Sequence, residues 1–145
     1  AAKNLQARTT LTLTEKPMKL ANSLISLTLA TLTVVAVAGD IKPYSAQEFD
    51  TLTQAGKPVV VDVSATWCPT CKAQKPILDG LMQQPAYRDV TMLTVDFDTG
   101  GDALKRFKVR MQSTLVAFKG ATEVARSVGD TTPTGIENLI KKTVN

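Results

Sequence analysis

Two cysteines stand in this chain, and they stand together, as Trp67-Cys68-Pro69-Thr70-Cys71. Thiols at this spacing can close a small disulfide ring and open it again. The apolar run Val59-Val60-Val61-Asp62-Val63 comes just before, and a helical pattern follows, so the pair falls where a strand turns into a helix. Pro69 and Thr70 then occupy the first helical turn, where the missing N–H of proline costs nothing. Cys68 is placed as the N-cap, its sulfur facing unpaired backbone N–H groups and the positive end of the helix dipole. A thiolate is stabilised there, which lowers the thiol pKa. The chemistry this stretch offers is redox exchange between two thiols and a disulfide.

Several other chemistries are excluded. The sequence holds no histidine, which removes Ser-His and Cys-His catalysis and histidine metal sites. Lys72 stands where a c-type haem motif requires histidine. A structural zinc site normally takes four protein ligands, and two thiols would need a second chain to complete it. The net charge is +4, but Lys3, Arg8, Lys16 and Lys19 against Glu15 place +3 of it before Gly39. What remains offers no basic stripe to neutralise phosphates, so no nucleic-acid partner is expected.

The elements that must position the cysteines can be read in order. Leu20 to Ala38 carries no charged residue, follows Met18-Lys19 and ends Val35-Ala36-Val37-Ala38. A basic start, an apolar middle and an Ala-x-Ala end describe a secretory signal peptide cut after Ala38. An uncleaved membrane anchor is the main rival. Met18 is a candidate translation start, which would make residues 1–17 an upstream extension. Residues 1–38 are thus set apart from a single domain at 39–145, delivered to the periplasm or another space outside the cytoplasm.

Within that domain, Asp40 to Tyr44 is expected to be extended. Ser45-Ala46-Gln47-Glu48 has the form of a capping box, opening a helix that buries Phe49 and Leu52 and stops at Gly56. Val59 to Val63 has the continuous apolar character of a strand covered on both faces. The cysteine helix extends to about Gln84 through Ile77, Leu78, Leu81 and Met82, with Pro76 inside it and a kink expected there. A strand over Val90 to Phe97 leads to a short helix holding Leu104 and Phe107, with Asp96 as a solvated strand end and Asp98 as an N-cap. Thr114 to Phe118 and Glu123 to Val128 form a hairpin by spacing. Thr134-Gly135-Ile136-Glu137 suggests a second capping box, before a helix presenting Ile136, Leu139, Ile140 and Val144 on one face. The order of elements predicts an α/β fold, a central mixed sheet with helices on both sides.

This set of residues resembles the thioredoxin family from about Tyr44 to Val144. Trp67, Cys68 and Cys71 match its Trp-Cys-x-x-Cys motif, followed by Lys72. Asp62 matches its buried aspartate, Pro76 its helix proline, and Phe118-Lys119 with Gly129 its hairpin and following glycine. The resemblance implies the thioredoxin fold and a thiol–disulfide oxidoreductase whose only redox group is the Cys68–Cys71 disulfide, with no further cofactor and no metal. It implies disulfide-containing protein substrates, contacted by Trp67 and by the backbone of Gln112, Ser113 and Thr114. A reductase in an oxidising space would be recharged by a membrane-embedded thiol donor, and the chain is expected to act as a monomer.

For Asp62, a place in an apolar run predicts burial, which raises a carboxyl pKa toward neutrality. A carboxyl there can exchange protons with Cys71. Trp67, Pro69, Thr70 and Pro76 are expected to support the site.

Two departures from the family are visible. Pro69-Thr70 replaces the Gly-Pro usual in cytoplasmic thioredoxins, and proline in the first slot resembles glutaredoxins and Dsb-type oxidases. Ser113 stands where the family has a cis-proline. A cis bond before serine costs about 3–4 kcal/mol, which favours trans for Gln112–Ser113 and a reshaped loop. The Ser113 hydroxyl is then a candidate donor to the Cys68 thiolate. The alternatives to a reductase are a Dsb-like disulfide donor, a metal or iron–sulfur module pooling thiolates across a dimer, and a redox-silent binding domain.

Overall fold

The structure is a computed structural model that describes residues 38–145. The signal peptide or anchor proposed for residues 20–38 and the extension at 1–17 therefore lie almost wholly outside the described residues.

Ten elements follow in order: β1 (Asp40–Pro43), α1 (Ala46–Gln54), β2 (Pro58–Ser64), α2 (Pro69–Met82), a 3₁₀ turn (Pro85–Tyr87), β3 (Thr91–Asp96), α3 (Gly101–Phe107), β4 (Thr114–Lys119), β5 (Thr122–Val128) and α4 (Pro133–Val144). The strands lie in the order β1-β3-β2-β4-β5. β1 and β2 both pair parallel with β3, while β2–β4 and β4–β5 are antiparallel.

β2 is the central strand, and its apolar run has a direct explanation. Successive side chains point to opposite faces. Val59, Val61 and Val63 join Phe49 of α1 and Phe107 of α3 in one core. Val60 faces the other way, toward Leu78, Leu81 and Met82 of α2 and Ile136, Leu139 and Ile140 of α4. These four valines have no exposed surface, and burying each contributes about 1.5–3 kcal/mol. Asp62 shares the face of Val60 and is thereby aimed under α2, the cysteine helix.

The helix ends show where local rules compete. At α1, Ser45 accepts from the Glu48 N–H at 3.1 Å. The return half of the expected box is not made, because the Glu48 carboxylate turns to Lys42 at 2.6 Å. At α4 the cap is Thr132 rather than Thr134. Its Oγ1 accepts from the Gly135 N–H at 3.2 Å, and Pro133 takes the first helical position. Such a cap typically contributes about 0.5–2 kcal/mol. Glu137, freed from capping, accepts from the Tyr87 hydroxyl at 3.1 Å and pairs with Lys141. The buried face of α4 also closes on Thr143 rather than on Val144, which is exposed. A step of seven residues brings Thr143 almost back over Ile136, whereas Val144 sits to one side. The Thr143 hydroxyl is satisfied by the Ile140 carbonyl at 2.8 Å.

The β4–β5 hairpin turns through Gly120 and Ala121, with Gly120 at φ +57°. β5 then leads into Gly129, whose φ of +72° suits glycine. Its N–H donates to the Ser113 carbonyl at 2.8 Å, so this turn ties the end of β5 to the loop entering β4.

Candidate active site

Cys68 and Cys71 are joined in a disulfide, with their Cα atoms 5.3 Å apart. Cys68 is extended (φ −79°, ψ 113°) and caps α2 through its own sulfur, which accepts from the Cys71 N–H at 3.0 Å. The cap follows from the local sequence. Pro69 at the first helical position has no N–H to offer, so a later amide of the first turn points at the sulfur. A negative charge on Cys68 in the reduced state would meet both that amide and the helix dipole. Cys68 is 1% exposed and Cys71 7%, packed with Ala65 and the partly buried Phe97. Pro69 lies exposed beside them. Pro76 sits inside α2 and withholds an N–H from the Lys72 carbonyl, one turn beyond the cysteines.

Behind the disulfide lies an open cleft of about 340 Å³ whose lining includes Asp62, Cys71, Lys75, Asp79 and Thr94. Asp62 is half-buried as a residue, but its Oδ1 is fully buried and has no hydrogen-bond partner. Removal from water is the main reason that its pKa is pushed up to about 6, opposed by Lys75 and reinforced by Asp79. Lys75 is not free to neutralise it fully, because its ammonium is held by both Asp79 carboxylate oxygens at 2.7 and 3.0 Å. The buried carboxyl read from the strand pattern is therefore present, and it shares a cleft with Cys71.

Trp67 is 53% exposed. Its indole N–H donates to Asp98 Oδ2 at 2.9 Å. This corrects the role expected for Asp98, which caps no helix. The N-cap of α3 is Gly100, and Asp96 organises the turn by accepting from the Asp98 and Thr99 N–H groups and the Thr99 hydroxyl. Asp98 thus fixes an exposed aromatic beside the disulfide. The sequence signal was faint, since two acidic residues after a strand fit a turn, a cap and a side-chain partner equally well.

The loop entering β4 has the trans bond and altered shape that the serine favours, but its hydroxyl goes elsewhere than expected. All peptide bonds among the described residues are trans, Gln112–Ser113 included, and Ser113 takes φ +60°. A non-glycine residue in the left-handed region is uncommon and carries a conformational cost. The Ser113 hydroxyl does not turn to Cys68. It donates to Gln74 Oε1 at 2.8 Å, in the interior. Ser113 and Thr114 are buried, Gln112 is half-buried and Met111 is 56% exposed. Side chains of Ser113 and Thr114 accordingly serve the loop itself, with Thr114 Oγ1 donating to the Met111 carbonyl at 2.7 Å. Gln74, absent from the residues singled out by sequence, is the buried partner of this loop.

A redox disulfide at a helix N-terminus, a buried carboxyl in the cleft behind it and an exposed tryptophan beside it define the class: a thiol–disulfide oxidoreductase built on a mixed sheet. Comparison with known proteins agrees. The sequence model of the thioredoxin family, described as "Thioredoxin", matches residues 40–142. Thioredoxin-2 of Saccharomyces cerevisiae is 37% identical over 101 residues, spanning 69% of this chain and 94% of the relative. The thioredoxin of Coprinus comatus is 31% identical, over 67% of this chain and 91% of its own length. Among solved structures, Trxlp from Edwardsiella tarda superposes with a TM-score of 0.68 at 42% identity, covering 70% of this chain and 98% of that one. The chain belongs to the thioredoxin family. Its redox group is the Cys68–Cys71 disulfide, and like the family it needs no separate cofactor.

Proposed function

We propose that this thioredoxin-family protein works as a reductase, opening disulfides in partner proteins outside the cytoplasm. The observation that carries the reading is the buried Asp62 carboxyl in the cleft that it shares with Cys71. In the reduced protein, the Cys68 thiolate attacks one sulfur of the partner disulfide. A mixed disulfide forms, and the other partner sulfur leaves as a thiolate. Asp62 takes the proton of Cys71, directly or through a water, and the Cys71 thiolate attacks Cys68. The second partner sulfur also leaves as a thiolate, the two partner thiolates take up protons from Asp62 and from solvent, and the chain is left with the Cys68–Cys71 disulfide, oxidised by two electrons. Trp67 and the backbone of Gln112 to Thr114 provide the surface for the extended partner segment. A membrane-embedded thiol donor returns the two electrons.

Two measurements test this. The reduction potential of the Cys68–Cys71 couple can be obtained in thiol buffers by following Trp67, the one tryptophan of the sequence. A value near −270 mV is expected, about that of thioredoxin. A value near −120 mV, about that of a strong oxidant, would mean that the protein hands disulfides out and that the direction is reversed. The exported location rests on the Leu20–Ala38 pattern. Terminal sequencing of protein from an expressing cell's exported fraction is expected to begin at Gly39, and a start upstream of Leu20 would point to the anchor instead.

A further inference from the structure

Gln74 is 1% exposed, on α2 one turn after Cys71. A side-chain amide survives such burial when its donors and acceptor are used. Here the two ends reach different segments. Oε1 accepts from the Ser113 hydroxyl at 2.8 Å, and Nε2 donates to the Asp130 carbonyl at 2.7 Å. A third bond joins those two segments to each other, Gly129 N–H to the Ser113 carbonyl at 2.8 Å. The three bonds form a closed ring running from α2 to the loop before β4, across to the turn after β5, and back to α2. Ser113 meanwhile holds φ +60°, a conformation that a serine leaves readily unless its surroundings hold it.

We infer that Gln74 is a positioning residue that holds Ser113 in its left-handed conformation and so sets the line of the Gln112–Thr114 backbone along which a partner protein's disulfide-bearing segment is laid. The inference rests on the reading that the chain acts on protein disulfides. The ring is referenced to α2, the helix that Cys68 caps. The loop therefore keeps its place relative to the sulfur through the two Gln74 side-chain bonds, with the Gly129–Ser113 backbone bond closing the ring. Ser113 and Gln74 are also mutually dependent. Removing the hydroxyl orphans a buried amide oxygen, and removing the amide orphans both a hydroxyl and the Asp130 carbonyl. A substrate that uses the loop backbone depends on this geometry, whereas a small disulfide that only needs to reach Cys68 does not.

The test compares two probes, insulin as a protein disulfide and a small aromatic disulfide, with wild type, Gln74→Leu, Ser113→Ala and the double variant. Gln74→Leu is expected to raise KM for insulin about tenfold while kcat is retained, the effect of a lost hydrogen-bonded contact of ordinary strength. The ratio of insulin to small-disulfide kcat/KM should fall by the same factor. Ser113→Ala should move the ratio in the same direction, and the double variant should go little further than the larger single change. If Gln74→Leu fails to fold, Ser113→Ala cuts the same bond from the loop side and is judged by the same ratio. A ratio within twofold of wild type, or fully additive effects, overturns the inference. A wild-type protein inactive on both probes overturns instead the functional reading on which it rests.

Discussion

Replacing Cys68 with serine is expected to lower the disulfide-reducing kcat/KM by at least about a thousandfold, because it removes the thiol at the N-cap of α2, the one whose thiolate the helix end stabilises. A serine hydroxyl remains protonated at neutral pH even at a helix N-terminus, whereas a thiol there is already partly ionised. Cys71→Ser should fail differently. Its nucleophile is intact, so one round of attack proceeds and the partner stays attached. The two variants are separated by a gel without reductant after mixing with insulin: Cys71→Ser carries the adduct and Cys68→Ser carries none. Comparable turnover by Cys68→Ser and wild type would remove the redox reading altogether.

Asp62→Asn is expected to slow the reaction and stabilise the protein at once. The activity loss follows from removing the proton acceptor in the cleft shared with Cys71. General-base assistance contributes about 10²–10⁴-fold where it is fully used, and a loss near the lower end is expected because water in the open cleft can substitute. The signature is accumulation of the mixed disulfide rather than slower initial attack. The stability gain has a defined pH window. The carboxyl titrates at about 6 in the folded chain, against 3.8 as its ordinary value. Between these pH values the unfolded chain has released the proton while the folded chain still holds it. Stability therefore falls as pH rises across that interval. The contribution of the protonated form is fully present below about pH 4 and lost above about pH 6, a difference of about 3 kcal/mol. Urea unfolding of the oxidised proteins at pH 8 should favour Asp62→Asn by about 2–3 kcal/mol, with a much smaller difference at pH 4. Equal differences at both values would show that Asp62 is not desolvated.

What sequence reasoning could see was set by the range of the interactions concerned. β2, the capped cysteine helix and the hairpin all follow from rules that act over a few residues. The expected burial of Asp62 followed from its neighbours in the same run. Trp67–Asp98, Ser113–Gln74 and Gln74–Asp130 span 31, 39 and 56 residues. No local pattern announces such a partner, so Asp98 reads as a cap and nothing in the sequence singles out Gln74. Ser113 was legible as a departure, but not where its hydroxyl would go. The α4 cap shows a different difficulty, since Thr132 and Thr134 both satisfy a local rule. The proline directly after Thr132 was the deciding signal, because proline belongs at the first helical position.

The absence of histidine has a consequence for anyone who titrates this protein. Histidine is the side chain whose unperturbed pKa falls between about pH 5 and 8, and the oxidised cysteines carry no proton to lose. In most proteins the charge lost or gained across that interval is a blend of several imidazoles that must be untangled by substitution. Among the described residues, the carboxyl pushed up to about 6 is Asp62, and a chain-terminal amine titrates higher, at about 8. Proton uptake measured on the folded, oxidised chain thus serves as a native meter of how dry the cleft beneath the disulfide is.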